Sequence, residues 1–221
     1  MSLPIKTAPR TEIHPVLLDE VDGLVASALP RAKPVFLHML GIPGSGKTSF
    51  VEVLVPELAK RPPVVVGFDR LMAVIPEYRD AMNREEAFNH YELPARAAGY
   101  FLLNELLVKR ADILLDHGGS FPEHIDMLKY ARDELGYRLI IVRMLTNAGT
   151  AKKRIEVRQD SEGRHTPVNY VDEREKIIGG LLKSYKNLTD YYFEILNEAE
   201  FEASGTLFSA ECAQIAACWY Q

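Results

Sequence analysis

The sequence GIPGSGKT, residues 41–48, matches the pattern G-x-x-x-x-G-K-[S/T] of a P-loop, in which backbone N–H groups curl around a chain of phosphates. An apolar stretch, PVFLHML (residues 34–40), precedes it and is typical of a buried strand, whereas residues 49–54 open a helix. Glycine allows the turn, and the helix N-terminus adds partial positive charge. The sequence therefore predicts a nucleoside triphosphate site, which we assign to Gly41, Gly44, Ser45, Gly46, Lys47, Thr48 and Ser49.

Two side chains of this loop have predicted roles of their own. Lys47 supplies a mobile positive charge for the β- and γ-phosphates of ATP. Thr48 offers its hydroxyl to Mg²⁺, the cation that accompanies the triphosphate. We therefore expect ATP and Mg²⁺ as the cofactors, with Thr48 as the metal ligand.

Composition sets the class of protein. The chain has 221 residues, of which 47% are hydrophobic and 26% charged, as is usual for one α/β domain with a substantial core. Its net charge of −5 makes nucleic acid or an anionic membrane an unlikely partner. No basic, apolar leader or run of about 18 apolar residues is present, so we expect a cytoplasmic protein. Cys212 and Cys218 have no histidine at metal-ligand spacing, which predicts reduced cysteines.

Strand and helix patterns alternate along the chain. Further apolar strands are predicted at 63–68, 112–116 and 137–145, and helices at 95–110, 123–135 and 210–219. Strands that are apolar on both faces and separated by helices predict an α/β P-loop kinase fold, with a mostly parallel sheet covered on both sides. Ligands of such sheets bind beyond the carboxyl ends of the strands.

The N-terminal segment, residues 1–33, is predicted to be a tail followed by an amphipathic helix, and residues 34–221 to be the kinase domain. An apolar stripe at helical spacing runs from Val16 to Leu29 and ends before Pro30. The stripe favours packing on the core. The alternative is a built-in cap over the site, in place of an antitoxin.

Asp69 follows the second strand, which we expect to lie beside the P-loop strand. Its carboxylate would then face the γ-phosphate and accept a proton from a substrate hydroxyl, the base role that phosphoryl transfer uses. A structural aspartate that caps the next turn or pairs with Arg70 fits the local sequence equally well.

Asp116 follows the third strand in a pattern like Walker B, which predicts a carboxylate near Mg²⁺ or the substrate. Asp116-His117-Gly118-Gly119 also matches the D-x-x-G of GTPases, but the chain has neither the N-K-x-D of GTPases nor the S-G-G-Q of ABC-type ATPases. A loop-capping role remains open for Asp116. His117 is a candidate for contacting substrate, although a lone histidine is more often structural.

Four arginines follow the fourth strand: Arg154, Arg158, Arg164 and Arg174. Arg154 and Arg158 are four residues apart and so share a helical face, and Arg164 lies in a polar stretch, residues 159–167, that is typical of a mobile loop. Such arginines can close on the phosphates and stabilise transition-state charge. The alternative is a solvent-exposed charged face.

In this order, the P-loop, Asp69 and the arginine segment resemble the zeta-toxin family of P-loop kinases. The stretch FDRLMAVIPEY, residues 68–78, is similar to that family's Asp-led motif, which ends in Pro-x-aromatic. The resemblance, over residues 34–200, implies that Asp69 is the catalytic aspartate and Asp116 the acidic residue that binds substrate. It implies phosphate-clamping roles for Arg158 (or Arg154) and for Arg164. Where the family usually has Glu-Gly-Thr, this chain has Asp116-His117-Gly118.

These observations predict a kinase that transfers the γ-phosphate of ATP to a hydroxyl of a small molecule. The resemblance implies a nucleotide sugar such as UDP-N-acetylglucosamine as the acceptor, a toxin role and an antitoxin partner. Two alternatives stay open: a nucleoside, nucleotide or polynucleotide-end kinase, and a regulatory ATP-binding module without transfer activity.

Overall fold

The computed structural model describes residues 6–162, 165–198 and 208–221, and the side chains of these residues except 160–162. Its strands form a five-stranded sheet in the order β2-β3-β1-β4-β5, and every neighbouring pair is parallel. The prediction of a parallel α/β sheet is confirmed. The strands are β1 (Val35–Leu40), β2 (Val64–Val66), β3 (Ile113–Leu115), β4 (Arg138–Leu145) and β5 (Tyr191–Leu196).

The helices connect these strands and cover both faces of the sheet. A short 3₁₀ turn (Arg10–Glu12) precedes them. The α-helices are α1 (Pro15–Ser27), α2 (Lys47–Glu57), α3 (Phe68–Val74), α4 (Pro76–Arg79), α5 (Arg84–Lys109), α6 (Glu123–Asp133), α7 (Ala148–Glu162), α8 (Tyr170–Leu188) and α9 (Ser209–Tyr220). Among the described residues, no helix combines the length and apolarity needed to cross a membrane.

Alternate residues of β1 point into two separate cores, as the period of a strand requires. Phe36 and Leu40 belong to the core that β1 shares with α1, α3, α5 and α6. Val35, Leu37 and Met39 belong to the core on the opposite face, against α2 and α9. The P-loop strand is therefore buried over its whole length, and it holds the start of the loop firmly in place.

Helix α1 packs as part of the first core. Leu17 and Val21 are fully buried there, and Lys109 Nζ donates to the Val25 carbonyl at 2.6 Å. This placement supports packing on the core over the cap hypothesis. Whether residues 1–33 form a separate segment stays a prediction.

The predicted neighbour of the P-loop strand is wrong. The P-loop strand β1 pairs with β3, and β2 lies on the far side of β3. Crossover connections decide the order of strands, and the local sequence of a strand does not encode them. β2 also ends at Val66, so Asp69 lies in the first turn of α3 and not at the end of a strand.

Other element boundaries also differ from the predictions. α5 begins at Arg84, eleven residues before the predicted start, because Asn83 caps it by accepting a hydrogen bond from Glu86 N. Pro94 lies inside this helix. α7 extends to Glu162, so the first part of the predicted mobile loop is helical. β5 was not predicted, although the C-terminal helix was.

Candidate functional site

A pocket of about 470 Å³ lies at the carboxyl ends of the central strands, where parallel sheets bind ligands. The P-loop, the start of α3, the loop after β3 and the helices α5, α7 and α8 contribute to its walls. Cationic side chains outnumber carboxylates there, so the pocket suits an anionic ligand. The cationic ones are Lys47, Arg70, Arg79, Arg84, Arg96, Arg158 and Arg174, and the carboxylates are Asp69, Glu92 and Asp116.

The P-loop has the backbone that its glycines predict. Gly46 has φ 90°, in the left-handed region that favours glycine, and it directly precedes α2. A Cβ at this position would also collide with Asn197 Nδ2. Lys47 Nζ donates to the carbonyls of Gly41 and Ile42, at 2.9 Å each, which holds the ammonium at the mouth of the loop.

Thr48 and Asp116 are joined by a hydrogen bond. The Thr48 hydroxyl donates to Asp116 Oδ2 at 3.0 Å, which connects the first turn of α2 to the residue after β3. Burial raises the pKa of Asp116, and the charge of Lys47 and the hydrogen bond from Thr48 oppose this effect. A hydroxyl and a carboxylate are hard oxygen donors of the kind that Mg²⁺ prefers, so this pair fits the predicted metal.

Asp69 lines the same pocket. Its side chain is exposed on the first turn of α3. The neighbouring Arg70 places Nη2 at 3.9 Å from Oε1 of Glu52. The start of α3 therefore presents a carboxylate to the pocket that also holds the P-loop. This position suits a base for an incoming hydroxyl, and the role stays a prediction.

The two described arginines of α7 have different surroundings. Arg154 donates to the Gly44 carbonyl at 3.3 Å and to the Asn197 carbonyl at 3.2 Å, and burial lowers its pKa. Arg158 lines the pocket and donates to Thr166 Oγ1 at 3.3 Å. Arg154 thus braces the P-loop, whereas Arg158 faces the ligand space. Arg164, the third predicted arginine, lies outside the described residues.

The remaining predicted residues divide between the pocket and the core. Gly41, Gly44, Gly46 and Ser49 line the pocket, whereas Ser45 is buried beneath the loop. His117 also lines the pocket and packs its ring against Phe68, at 4.8 Å between ring centroids. Burial lowers the pKa of His117 well below its ordinary value, so its imidazole is neutral.

Sequence reasoning missed Asn197, which follows the unpredicted strand β5. Its side chain is buried, and Nδ2 donates to the Ser45 carbonyl at 2.9 Å, across 152 residues of sequence. Its own N–H donates to the Leu145 carbonyl at 2.8 Å. Asn197 therefore fixes the P-loop backbone to the end of the sheet. The sequence signal that could have identified it is a polar residue directly after a stretch of mostly apolar residues, 191–196.

Sequence reasoning also missed a wall of aromatic and basic side chains, of which it had named only Arg174, as one of the arginines after the fourth strand. Arg96 and Arg174 place their guanidinium carbons 4.9 and 5.3 Å from the ring centroid of Phe121. Arg174 lies 4.8 Å from the ring centroid of Tyr170 as well. All four line the pocket. They come from two helices, α5 and α8, and the loop before α6, so no local motif relates them.

The model of the family described as Zeta toxin matches residues 20–192 of the chain. None of the curated proteins compared with the chain matches it.

Several solved structures share the fold at low sequence identity. One comes from the PezAT chromosomal toxin-antitoxin system of the human pathogen Streptococcus pneumoniae, with 13% identity, a TM-score of 0.63 and 98% of each chain covered. Another is the AvrRxo1-ORF1:-ORF2 complex with ATP, with 16% identity, a TM-score of 0.63, and 99% of this chain and 79% of that chain covered. A shikimate kinase from Bacteroides thetaiotaomicron has 14% identity and a TM-score of 0.51, over 85% of this chain and 99% of that chain. These likenesses show a P-loop kinase fold.

Proposed function

Because the chain belongs to the zeta toxin family and has a P-loop kinase fold, we propose that it transfers the γ-phosphate of ATP to a hydroxyl group of a small molecule. One observation carries this proposal. The bonded pair Thr48–Asp116, the ammonium of Lys47 and the carboxylate of Asp69 all border a single pocket. The groups that bind a triphosphate thus lie beside a group that can accept a proton.

Each residue has a defined part in the transfer. Lys47 and the P-loop N–H groups bind the phosphates, and Asp69 orients the acceptor hydroxyl and takes its proton. The hydroxyl oxygen forms a bond to the γ-phosphorus while the bond to the β,γ-bridging oxygen breaks, and ADP leaves with that electron pair. Arg158 stabilises the charge that develops on the transferred group, and Arg164 is predicted to assist it.

Magnesium fits the donor set of the site. Thr48 would hold Mg²⁺ directly, and Asp116 accepts a hydrogen bond from the Thr48 hydroxyl, which orients that oxygen. When bound, the ion neutralises charge on the β- and γ-phosphates. The contact of Asp116 with Thr48 supports a role on the metal side, while its predicted role in substrate binding, with His117, remains to be tested.

We propose a nucleotide sugar such as UDP-N-acetylglucosamine as the acceptor. The arginines of the pocket suit its diphosphate, and the rings of Tyr78, Phe121 and Tyr170 offer stacking surfaces for its base. A nucleoside or nucleotide has the same base and is the second candidate. The net charge of −5 weighs against a polynucleotide end.

A screen of metabolites with γ-labelled ATP, read by mass spectrometry, tests the proposal. We expect a phosphorylated nucleotide sugar in the presence of Mg²⁺, and loss of the product after chelation of Mg²⁺. Asp69→Asn should abolish this product while ATP affinity stays within a few-fold. A regulatory ATP-binding module would instead give no labelled product with either protein.

We also propose that the protein is a toxin with an antitoxin partner. Membership of the zeta toxin family supports this proposal. Induced expression should stop the growth of the host cell, whereas expression of Asp69→Asn to the same level should not. Equal growth with both proteins would contradict the toxin role and leave the kinase activity to be judged by the screen.

A further inference from the structure

Three histidines from separate elements converge behind the substrate end of the pocket. His38 lies in β1, His117 in the loop after β3, and His124 in the first turn of α6. One ring nitrogen from each lies within 4.8 Å of the other two. His38 and His124 are fully buried, and their ring centroids are 5.1 Å apart. The ring centroids of His117 and His124 are also 5.1 Å apart.

Four of the six ring nitrogens of this cluster are buried without an ordinary hydrogen-bond partner in the described part of the chain. Within the described part of the chain, Nδ1 of His117 and Nδ1 of His124 are buried without a hydrogen bond. Neither nitrogen of His38 makes a hydrogen bond of ordinary geometry, although the His117 backbone lies close enough to oppose the lowering of the His38 pKa. Burying an imidazole nitrogen without a partner costs free energy, and native proteins rarely leave several such atoms together. A common ligand for these nitrogens would remove that cost.

We propose that His38, His117 and His124 form a site for a single transition-metal ion that prefers imidazole ligands, with Zn²⁺ as the best fit. Neutral imidazole is a preferred ligand of Zn²⁺, and three histidines leave a fourth position of a tetrahedral site for water or substrate. The site is distinct from the Thr48–Asp116 pair, whose hard oxygen donors suit Mg²⁺.

The protonation state of the cluster agrees with this ligand set. Burial lowers the pKa of His124 to about 3, and the charge of Arg96 lowers it further. Burial likewise lowers the pKa values of His38 and His117 well below the ordinary value. All three rings are therefore neutral at physiological pH, the form in which imidazole binds a metal.

The surroundings supply an outer shell and an entry path. His124 Nε2 lies 3.1 Å from the Tyr100 hydroxyl, so it can donate to that oxygen when Nδ1 binds the metal. His117 lines the pocket, through which an ion can enter. Because Asp116 precedes His117, a bound ion would fix the loop that positions Asp116 against Thr48.

Titration of the nucleotide-free protein with Co²⁺ and then Zn²⁺, in excess Mg²⁺, tests the site. Mg²⁺ occupies the oxygen donors and competes poorly for imidazole. We expect one equivalent of Co²⁺ with the visible absorption of a tetrahedral complex, which one equivalent of Zn²⁺ removes. Zn²⁺ at a hundred times its Kd should raise Tm by about 5–10 °C. An octahedral spectrum, or no saturable binding, would overturn the proposal.

Single substitutions assign the ligands. His38→Gln and His124→Gln should each weaken Zn²⁺ binding more than about 100-fold, because loss of an outer-shell partner alone costs 10–100-fold. The matched control is His90→Gln, an exposed histidine on α5, which should bind as the unaltered protein does. If the buried variants do not fold, His117→Gln on the loop gives the same test. If a folded variant of the cluster binds Zn²⁺ with unchanged affinity, the three histidines do not bind the metal and are only packed against one another. None of these measurements uses ATP, so they stand apart from the test of kinase activity.

Discussion

The two ends of strand β3 each bear an aspartate, and the two carboxylates have opposite surroundings. Asp112, before the strand, accepts hydrogen bonds from Arg31 Nε at 3.0 Å and from Arg61 Nε at 2.7 Å, and also from Val35 N at 2.9 Å. Asp116, after the strand, accepts one from the Thr48 hydroxyl at 3.0 Å and faces the pocket. Asp112 is buried and hydrogen-bonds to two guanidinium groups, whereas Asp116 is half-buried and its hydrogen bond comes from a neutral hydroxyl, with the charge of Lys47 nearby.

This difference fits a structural role for Asp112 and the predicted functional role of Asp116. Asp112 and its arginines tie the segment before β1 and the turn after α2 to the amino end of the sheet. At the carboxyl end, the carboxylate oxygens of Asp116 have lone pairs beyond the one that accepts the Thr48 hydrogen bond, and these can bind an incoming ion. We therefore predict that the amino edge of this sheet serves stability, whereas its carboxyl edge serves ligand binding at some cost in stability.

The largest expected effect lies at the carboxyl edge. Lys47→Ala should lower the rate of phosphoryl transfer by about 10³-fold or more, because it removes the charge that faces the transferred phosphate. Single-turnover assays with labelled ATP and the acceptor from the screen measure this rate. We expect Tm to change little, since this half-buried side chain donates to the loop carbonyls of Gly41 and Ile42 and is not part of an apolar core.

The control for this substitution is Lys60→Ala, an exposed lysine after α2, which should transfer phosphate at the rate of the unaltered protein. Normal transfer by folded Lys47→Ala would refute the placement of catalysis at this edge.

The next effect lies at the amino edge. Asp112→Ala should lower the free energy of unfolding by about 3 kcal/mol, the lower end of the range for a broken buried pair, because Arg31 and Arg61 stay partly exposed. Urea unfolding measures the change, with the exposed Asp126→Ala as the control. The folded fraction should keep its transfer rate. A loss of rate without a loss of stability would reverse the comparison.

Sequence reasoning located the carboxyl edge better than it did the strand order. The P-loop motif fixes its own local geometry through glycine and helix capping, so the positions of Lys47 and Thr48 followed from eight residues. The position of β3 beside β1 depends on two long crossovers, and it places Asp116, not Asp69, directly opposite the P-loop.

Features built from distant residues had no local signal. β5 is an edge strand whose residues 191–193 are half-buried, and Glu194 interrupts its apolar pattern, so it lacks the continuous apolar run of the central strands. Asn197 and the wall around Phe121 depend on how such elements meet. The early start of α5 was readable in principle, because Asn83 and Glu86 form a capping pair.

A smaller effect separates the two predicted roles of Asp116. Asp116→Ala should weaken Mg²⁺–ATP binding about tenfold if the carboxylate acts through Thr48, whereas His117→Ala should raise the KM for the acceptor and leave ATP affinity within a few-fold. Calorimetry with a non-hydrolysable ATP analogue and Mg²⁺ measures the first quantity, and steady-state kinetics the second. If Asp116→Ala raises only the acceptor KM, Asp116 is a substrate ligand, as the family resemblance implies.

The smallest effect concerns the stability cost of the open carboxylate. Burial raises the pKa of Asp116 above the ordinary value of 3.8, so the folded protein binds this proton more tightly than the unfolded chain does. The ionised carboxylate therefore destabilises the nucleotide-free fold above the raised pKa, and the effect vanishes below pH 3.8, where both states are protonated.

The variant Asp116→Asn tests this effect, because its side chain keeps an oxygen that can accept a hydrogen bond from the Thr48 hydroxyl but carries no charge. We expect this variant to have a higher Tm than the unaltered protein at pH 7, with a difference that shrinks as the pH falls toward 4. Thermal unfolding across this pH range measures it, and the exposed Asp126→Asn should show no such trend. A lower Tm for Asp116→Asn at pH 7 would mean that the ionised carboxylate stabilises the fold, and the two ends of β3 would then be alike.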